Sequence, residues 1–447
     1  MRVLIVGAGA VGFQLAEKLS EQGQDVVVIE ADEDRAKYVG DVLDCMVVHG
    51  NGASVPVLKE ANISKADVVL AVTSKDEVNL ISSLAASRLG TRLIVARISS
   101  PEYYERSDVL SREQLGIDVM VNPERESAWE TFQLLSSVAA TDLVKFADGR
   151  VLLIGLRVRA GAAVAGKTLL ELDQELTDRR YTTVAIVRDG KTEIPTGASR
   201  IEAEDQLFVF SPPSELAAIS RLAGYEDFVL RRVMIAGGSA EAFYLARHLE
   251  RHEIGVTIVD IDRRRCVELA ETLPKALVLN GDATDIELLE AEGVGGVDGF
   301  VASTGHDETN MLSALLAKSI GAKKVVSLVN RIDYMPLVTK VGIDAAVSPR
   351  LSTVNAILTY LKGQKVRRIA ALKGTGAEAM EINVGADSRV AGKTLRETEF
   401  PKGCVIGAII REDEVMTPRG GDSILPGDRV IVVALPDAIP GVERLLA

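Results

Sequence analysis

Long apolar runs, aromatic residues and paired cysteines are all scarce in this 447-residue sequence. No stretch approaches the roughly 18–20 apolar residues of a transmembrane helix, so the sequence predicts no membrane span. Aromatic residues make up 4% of the chain, so aliphatic side chains must build the core. Three widely spaced cysteines without a Cys-x-x-Cys pair exclude a disulfide scaffold and are typical of a reducing cytoplasm. The apolar start of the chain stops at glycines, so we expect no targeting segment there.

Basic residues are also in the minority, since 51 Lys and Arg face 64 Asp and Glu, for a formal net charge of −13. Non-specific binding to nucleic acids or anionic lipids requires a basic face, so this balance argues against both. Hydrophobic residues still form 47% of the chain, an ordinary fraction for globular domains. The length predicts about two to four domains.

The chain is an internal duplication. Arg2–Gly7 resembles Arg232–Gly237, and Gly166–Leu169 resembles Gly392–Leu395. Other features recur in the same order at nearly constant spacing, namely Glu30 and Asp260, Thr73 and Thr304, and Asp205–Val209 and Asp428–Val432. Ordered recurrence of this kind indicates two copies of one module, with the seam near Gly224–Arg231.

Each copy begins with alternating strand and helix patterns, which are typical of a doubly wound parallel sheet. The later part of each copy has short strand patterns, such as Val151–Val158, separated by turn signals. We therefore predict an α/β fold of two tandem modules, each a Rossmann-like nucleotide-binding lobe followed by a small α+β C-terminal lobe. The predicted segments are 1–123 and 231–349 for the Rossmann-like lobes, 124–148 and 350–365 for crossover helices, and 149–224 and 366–447 for the C-terminal lobes.

A helix is predicted between the two lobes of the first copy, from Ser127 to Val144. Its apolar residues recur every three or four positions and are Trp129, Phe132, Leu135 and Val138. Such a stripe normally packs on its own core, but between two lobes it could instead cross to a partner. The sequence leaves both alternatives open.

The first copy carries a dinucleotide-binding motif, Gly-x-Gly-x-x-Gly, between a strand pattern and a helix pattern. In this motif the first glycine permits a tight turn, the second lets the backbone approach a pyrophosphate, and the third allows close helix packing. We predict that the whole motif binds a nucleotide at the helix N-terminus, through Gly7, Ala8, Gly9, Ala10, Val11 and Gly12.

Glu30 ends the second predicted strand, where a carboxylate can accept both hydroxyls of an adenosine ribose. A carboxylate would repel a 2′-phosphate, so this residue favours NAD(H) over NADP(H). The alternative is a glycine-rich turn with a solvated glutamate.

Three later features lie at the carboxyl ends of predicted strands, where such sheets bind ligands. Asn51 could contact the adenosine, although its flanking glycines could serve only the turn. Thr73 and Ser74 could face the cleft or cap the following helix. Arg97 ends a buried strand and needs an anion, which could be a phosphate or a carboxylate of Asp76 or Glu77.

The second copy is degenerate at the same positions. Ser239 and Ala242 replace two motif glycines, and Leu328 replaces the strand-end arginine, whereas Asp260 keeps the ribose-side acid. Added side-chain atoms stand where the backbone should approach a pyrophosphate. We predict either weaker nucleotide binding at Asp260 and its loop or a retained fold with a lost site.

Catalytic signatures are missing, because the sequence has no nucleophile elbow, zinc spacing or Tyr-x-x-x-Lys pattern. His248 and His252 could bind a metal at i, i+4, but a solvated helix face explains them better. Gly161–Thr168 formally matches a P-loop, yet its copy lacks the first glycine, so we interpret it as a turn before a short helix. The sequence therefore predicts a nucleotide sensor without catalytic residues; an NAD-dependent oxidoreductase is the alternative.

In this order, the motifs resemble the regulator-of-potassium-conductance modules, and their duplication resembles the cytosolic subunits of bacterial Trk potassium-uptake systems. The resemblance covers essentially the whole chain and implies a gating protein that binds NAD(H) and ATP or ADP. It further implies a homotetrameric ring, peripheral on the cytoplasmic face of the membrane, beneath an integral-membrane potassium-translocating subunit of the TrkH or TrkG type. A regulator of potassium efflux or of a channel is barely separable from this by sequence.

The resemblance also assigns residues. Glu30 matches the ribose-binding acid, and Arg97 matches the arginine on the phosphate side. Glu124 matches an acidic residue that places a divalent cation in some relatives, while its counterpart in the second copy is Arg350. We expect nucleotide binding to be transmitted through the helix predicted over Ser127–Val144.

Overall fold

In the computed structural model of the protein, the described residues are 1–104, 111–137, 139–176, 180–226, 229–361, 366–372, 375–412 and 414–446. Val138 of the predicted helix stripe lies outside them. This part of the chain forms two compact units, Met1–Ser127 with Ser348–Leu361, and Ala128–Val347 with Lys362–Ala447. Each unit thus combines segments from both sequence copies.

The first unit is built around a parallel sheet of near-continuous aliphatic strands, which is the pattern of strands buried on both faces. Its strands are β1 (Arg2–Val6), β2 (Asp25–Glu30), β3 (Met46–His49), β4 (Val68–Ala71), β5 (Leu93–Arg97) and β6 (Val119–Val121). They lie in the order β3-β2-β1-β4-β5-β6, so the strand order reverses between β1 and β4. Ligands bind such sheets at this switch point. The helices are α1 (Ala10–Glu21), α2 (Glu33–Val42), α3 (Val55–Glu60), α4 (Asp76–Arg88) and α5 (Pro101–Tyr104).

The next segment belongs to the first C-terminal lobe and follows α6 (Pro123–Leu135). Its antiparallel sheet has the order β10-β9-β11-β8-β7. The elements are β7 (Ala140–Phe146), β8 (Val151–Arg157), α7 (Leu169–Glu175), β9 (Thr182–Arg188), β10 (Lys191–Glu193), β11 (Gln206–Ser211) and α8 (Leu216–Leu222).

The second parallel sheet repeats the first, with the order β14-β13-β12-β15-β16-β17. Its strands are β12 (Arg232–Ala236), β13 (Gly255–Asp260), β14 (Leu277–Asn280), β15 (Gly299–Ala302), β16 (Lys324–Leu328) and β17 (Ala345–Val347). Its helices are α9 (Ala240–Arg251), α10 (Arg263–Thr272), α11 (Ile286–Ala291), α12 (Asp307–Ile320) and α13 (Met335–Lys340). The predicted α/β fold with duplicated Rossmann-like lobes is confirmed.

After α14 (Pro349–Leu361), the second C-terminal lobe forms an antiparallel sheet in the order β18-β19-β22-β20-β21. Its elements are β18 (Val366–Ala371), β19 (Glu378–Asn383), β20 (Cys404–Arg411), β21 (Glu414–Met416), β22 (Arg429–Ala434) and α15 (Ile439–Leu446). Phe208 and Phe210 of the first lobe share one buried cluster with Ala408 and Ile431 of the second. A side chain at Gly407 would overlap the Phe210 ring, so close packing of the two sheets requires glycine there.

Helix α6 is shorter than the sequence pattern predicts. It ends at Leu135, and the residues from Ala140 to Phe146 form β7, which pairs with β8. The prediction of a helix reaching Val144 is therefore wrong. Apolar residues spaced three or four apart continue past the helix end, but pairing with β8 satisfies the backbone of this segment instead.

The two crossover helices are exchanged between the copies. In the first unit, Ile357 and Leu358 of α14 share a buried cluster with Leu15 and Leu19 of α1. In the second unit, the corresponding contact is made by α6, because its Ala128, Leu134 and Leu135 share a cluster with Leu245 and Leu249 of α9. The described residues of the α6 stripe thus lie against the second copy of the same chain, and a crossing to a separate partner stays a prediction.

An aromatic and histidine cluster lies where α6 meets α9. The His248 ring centroid is 4.9 Å from that of Trp129, 4.3 Å from Phe132 and 4.6 Å from His252. The Nζ of Lys145 lies 4.7 Å from the Trp129 ring centroid. The Nε2 of His248 is buried without a hydrogen-bond partner in the described part of the chain.

This cluster predicts a pH dependence of stability. Desolvation, followed by the charges of His252, Arg251 and Lys145, lowers the pKa of His248. Because the folded state holds this imidazole neutral, its contribution is fully present above the unfolded pKa of about 6.5 and is lost as pH falls through the lower folded pKa. We expect His248→Phe to reduce the loss of thermal stability between about pH 7.5 and pH 5.5.

The measurement is the unfolding temperature by calorimetry at both pH values. His306→Phe is the matched control, because His306 is exposed at the start of α12 and should leave the pH dependence unchanged. The same pH dependence in wild type and His248→Phe would contradict the assignment.

Candidate nucleotide-binding site

The glycine loop between β1 and α1 places its three glycines in different environments. Gly7 has a φ of +99°, and a Cβ there would lie 2.8 Å from Cγ2 of Thr73. A Cβ at Gly12 would overlap the carbonyl oxygen of Gly7. Gly9 differs, since a Cβ there would meet no atom within 4 Å. Gly7 and Gly12 are therefore required by the turn and its packing, whereas Gly9 leaves open space in front of the helix.

The N-terminus of α1 has no side-chain cap. Gly9 is the N-cap residue and offers no side-chain hydrogen bond. The first backbone N–H groups of a helix, here those of Ala10, Val11 and Gly12, have no partner within the helix. Together with the positive end of the helix dipole, they suit an anionic group such as a phosphate. The loop thus has both the space and the donors that a pyrophosphate requires.

Glu30 ends β2 and its carboxylate points back to the loop. Oε2 accepts the N–H of Ala8 at 2.6 Å, and Oε1 accepts those of Ala31 and Asp32 at 2.8 and 3.0 Å. The carboxylate therefore shapes the loop, which the sequence interpretation did not include. A carboxylate has about four acceptor positions, so these bonds still allow it to accept a ribose hydroxyl.

Arg97 ends β5 with a guanidinium that is incompletely paired. Its Nη1 donates to the carbonyl oxygen of Thr73 at 3.4 Å, while its Nε is buried without a hydrogen-bond partner. Asp76 instead accepts the backbone N–H groups of Ser99 and Ser100. Within the described residues, Arg97 has no ion pair with Asp76 or Glu77, so a half-buried cation remains available to an anion.

Thr73 is fixed by hydrogen bonds to Asn79, which belongs to the same copy of the module. Its N–H and hydroxyl both donate to Oδ1 of Asn79, at 2.9 and 2.7 Å, and the Asn79 amide donates to the carbonyl of Arg97 at 2.8 Å. Thr304 and Asn310 repeat these contacts in the second copy. The repeated threonine–asparagine pair therefore ties strand ends together, whatever else Thr73 contacts.

The other two predicted contact residues lie at the same edge of the sheet. Ser74 is exposed, and the N-cap of α4 is Lys75, so Ser74 and Thr73 do not cap that helix. Oδ1 of Asn51 accepts the N–H of Ala53 at 2.9 Å, which closes the turn after β3. Both residues stay predictions as nucleotide ligands.

Arg35 was missed by the sequence interpretation. Arg35 lies in the first turn of α2, and its Nε donates to the carbonyl oxygen of Ala8 at 2.8 Å. The signal was present in the sequence, because Arg265 occupies the equivalent place in the second copy and its Nε donates to the carbonyl of Gly238 at 2.6 Å.

Comparison with known proteins supports the duplication and the fold. The TrkA-N domain family matches residues 3–123 and 233–349, and the TrkA-C domain family matches residues 153–224 and 379–447. The Trk system potassium uptake protein TrkA homolog 2 of Methanosarcina mazei is 37% identical over 453 residues, which cover 100% of both chains. The Trk system potassium uptake protein TrkA of Azorhizobium caulinodans is 34% identical, over 100% of this chain and 98% of that one.

The chain belongs to the TrkA family. Among solved structures, the GsuK RCK domain has a TM-score of 0.59 and 20% identity, covering 100% of this chain and 94% of that one. The GsuK channel bound to NAD has a TM-score of 0.59 and 21% identity, covering 100% and 78%. At these identities the likeness shows the fold alone. No helix in the described ranges of this TrkA-family chain is long and apolar enough to cross a membrane.

The second TrkA-N segment is closed at the place where the first is open. Ser239 is the N-cap of α9, and its hydroxyl accepts the N–H of Ala242 at 3.1 Å. The same hydroxyl lies 2.7 Å from that of Ser303. Asp260 accepts the N–H groups of Gly238 and Asp262, at 2.5 and 2.7 Å. The helix end therefore has a partner in its own chain, and Asp260 repeats the loop-shaping contacts of the first copy.

The sequence that formally matches a P-loop has a local structural role. In Gly166–Thr168, Thr168 and Glu171 form a capping box at the start of α7, and Lys167 pairs with Glu175, as expected for a turn rather than a P-loop.

Among the described residues, no group of three or more His, Cys, Asp or Glu could hold a metal ion. Glu124 therefore stays a prediction as a metal ligand.

Proposed function

We propose that this TrkA-family chain is the nucleotide-sensing gating subunit of a potassium-uptake system. In this proposal NAD(H) and ADP or ATP bind the first-copy glycine loop and change the shape of the assembly. The observation that carries it is the uncapped N-terminus of α1 in the same lobe as the incompletely paired Arg97. GsuK, which has this fold, has been solved bound to NAD and, separately, to ADP.

The fold offers a route for the signal. Helix α14 packs on α1, whose N-terminus would hold the phosphates. The sequence pattern favoured α6 as this route, but the described part of α6 from Ala128 packs on the degenerate copy. A nucleotide that binds two shapes with different affinity shifts their populations by that difference. We therefore assign the transmission of the nucleotide signal to α14.

The proposed assembly is a cytoplasmic homotetramer, peripheral on the inner face of the membrane and bound to a potassium-translocating subunit of the TrkH or TrkG type. Two exposed apolar residues at equivalent places support subunit contacts. Ile81 on α4 is 48% exposed, and Leu312 on α12 is 51% exposed. Large apolar side chains repeated on corresponding helices suit a surface that a further copy covers.

Two finer assignments belong to the same proposal. We propose that the segment boundaries predicted above divide the lobes and crossover helices, except that the first crossover helix ends at Leu135. We also propose a divalent cation at Glu124, with further ligands from a nucleotide or another subunit, since no group of three His, Cys, Asp or Glu among the described residues could hold it.

The test of function combines purification from membranes with flux and turnover measurements. We expect the chain to co-purify with an integral potassium-translocating subunit, and NADH and ADP to change potassium uptake in opposite or unequal ways. NADH should be recovered unchanged. If the chain consumes NADH with a small substrate at enzymatic rates, it is an NAD-dependent oxidoreductase and this proposal fails. If the nucleotides change potassium efflux alone, the chain controls efflux and not uptake.

Glu30 provides a prediction for the ligand itself. We expect Glu30→Ala to weaken the binding of NADH and ADP together by about tenfold or more, because a hydrogen bond to a charged group is lost. Isothermal titration calorimetry of the full-length chain measures both affinities. Asp260→Ala is the matched control, since it removes the same loop contacts in the second copy. Unchanged affinity in Glu30→Ala would remove Glu30 from the site.

A further inference from the structure

Arg35 and Glu30 hold the same residue of the glycine loop from opposite sides. The Arg35 Nε donates to the carbonyl oxygen of Ala8 at 2.8 Å, while the Glu30 carboxylate accepts the N–H of Ala8 at 2.6 Å. The guanidinium carbon lies 5.0 Å from the ring centroid of Phe13 and 5.2 Å from that of Tyr38. The side chain of Arg35 is thereby fixed against the loop by one hydrogen bond and two rings.

The second copy shows which part of this arrangement is structural. Arg265 makes the same contact with its Nε, to the carbonyl oxygen of Gly238. Its Nη1, however, pairs with Glu268 at 3.2 Å, one turn further along α10. The residue at that place in α2 is Tyr38. Within the described residues no carboxylate forms an ion pair with Arg35. The two copies therefore share the loop contact, but the arginine is neutralised by a carboxylate only in the second copy.

The free edge of Arg35 suits an anion. Nε is used by the loop and two rings lie against the guanidinium, so the Nη groups are the donors that remain. A guanidinium edge binds phosphate oxygens through paired N–H groups. The loop that Arg35 contacts leads directly into the uncapped N-terminus of α1. The Arg35 guanidinium and the N–H groups at the start of α1 therefore both adjoin the glycine loop.

We propose, resting on the nucleotide-binding function proposed above, that the Nη edge of Arg35 binds a phosphate group of the bound adenine nucleotide. Arg35 and Arg97 then supply two cations to the phosphates in the first copy. In the second copy, Glu268 pairs with the equivalent Arg265, and Leu328 stands in the place of Arg97. The open glycine loop and the charge of Arg35 together set the preference of the first copy for phosphorylated ligands.

The test compares Arg35→Gln with the matched variant Arg265→Gln in the full-length chain. Glutamine keeps a donor for the loop carbonyl but removes the charge. Binding of NADH is followed by its fluorescence, and ADP and adenosine are measured by displacement. We expect Arg35→Gln to weaken NADH and ADP by about tenfold or more, to leave adenosine within about twofold, and to reduce the effect of salt on ADP binding. Arg265→Gln should change none of these.

Each other result overturns the inference. Equal losses for ADP and adenosine would show that Arg35 only positions the loop, and unchanged ADP binding would show no phosphate contact. Arg35→Lys separates charge from shape, because lysine restores a point charge without the paired donors; binding no better than in Arg35→Gln would also count against a phosphate contact. If the wild-type chain binds neither NADH nor ADP, the proposed function fails together with this inference.

Discussion

Gly9→Ser is expected to remove nucleotide binding from the first copy while its fold stays intact. A side chain at Gly9 meets no protein atom within 4 Å, so serine fits without a clash. In the second copy, Ser239 at the equivalent place caps α9 through its hydroxyl. A serine at position 9 would cap α1 in the same way and fill the space in front of the helix. The phosphates would lose donors that are each worth about 1.5–3 kcal/mol, so affinity should fall by roughly tenfold to a hundredfold.

Two measurements separate this effect from misfolding. The unfolding temperature of Gly9→Ser without ligand should equal or slightly exceed that of the wild type, because serine is at least as good an N-cap as glycine. Calorimetric titration with NADH and ADP should show the loss. Ser239→Gly is the control, and it should leave the first-copy affinity unchanged. Wild-type affinity in Gly9→Ser would mean that the phosphates do not lie at this helix end.

Arg188→Met is expected to destabilise the protein by about 1.5–3 kcal/mol, because it removes two charged hydrogen bonds from a buried carboxylate, while the 39% exposure of the Arg188 side chain keeps the loss below that of a fully buried pair. Nε and Nη2 of Arg188 each donate to Asp205 at 2.7 Å, and the Asp205 side chain is 1% exposed. This pairing raises the pKa of Arg188, so the charged form is the stable one. Arg411 and Asp428 repeat the pair in the second C-terminal lobe at 2.9 Å.

Urea unfolding followed by circular dichroism measures this loss. Arg157→Met is the matched control, since Arg157 pairs with Glu204 at 3.4 Å on the surface and should cost about 0–1 kcal/mol. The double variant Arg188→Met/Asp205→Leu should recover most of the stability, because it removes the unpaired carboxylate. Equal effects of Arg188→Met and Arg157→Met would show that the buried geometry adds nothing.

The duplication also limits how the two copies can be compared. Fragments divided near residue 224 would separate α14 from α1 and expose Ile357 and Leu358, which are buried in the intact chain. They would also divide the cluster that Phe210 shares with Ala408. Point variants in the full chain, such as Gly9→Ser with Ser239→Gly, avoid both problems.

The duplicated α/β fold and the place of the glycine loop could both be predicted from the amino-acid sequence. Both depend on local patterns, because aliphatic strand runs, the glycine spacing and the acid at the end of β2 lie close together in the chain. The repeat also marked Thr73 and Asn79, but their hydrogen bonds to each other and to the end of β5 became visible only in three dimensions.

The partners of α6 and α14, the end of α6 at Leu135 and the difference between the two loops became known only from the folded chain. An amphipathic pattern tells which helix face is buried but not which element covers it, so the exchange of α6 and α14 has no local signature. Likewise, the sequence shows Ser239 only as the replacement of a motif glycine, whereas the structure shows that its hydroxyl caps α9. The unpaired Nε of Arg97 depends on which groups distant in sequence approach it, and chain spacing does not fix those distances.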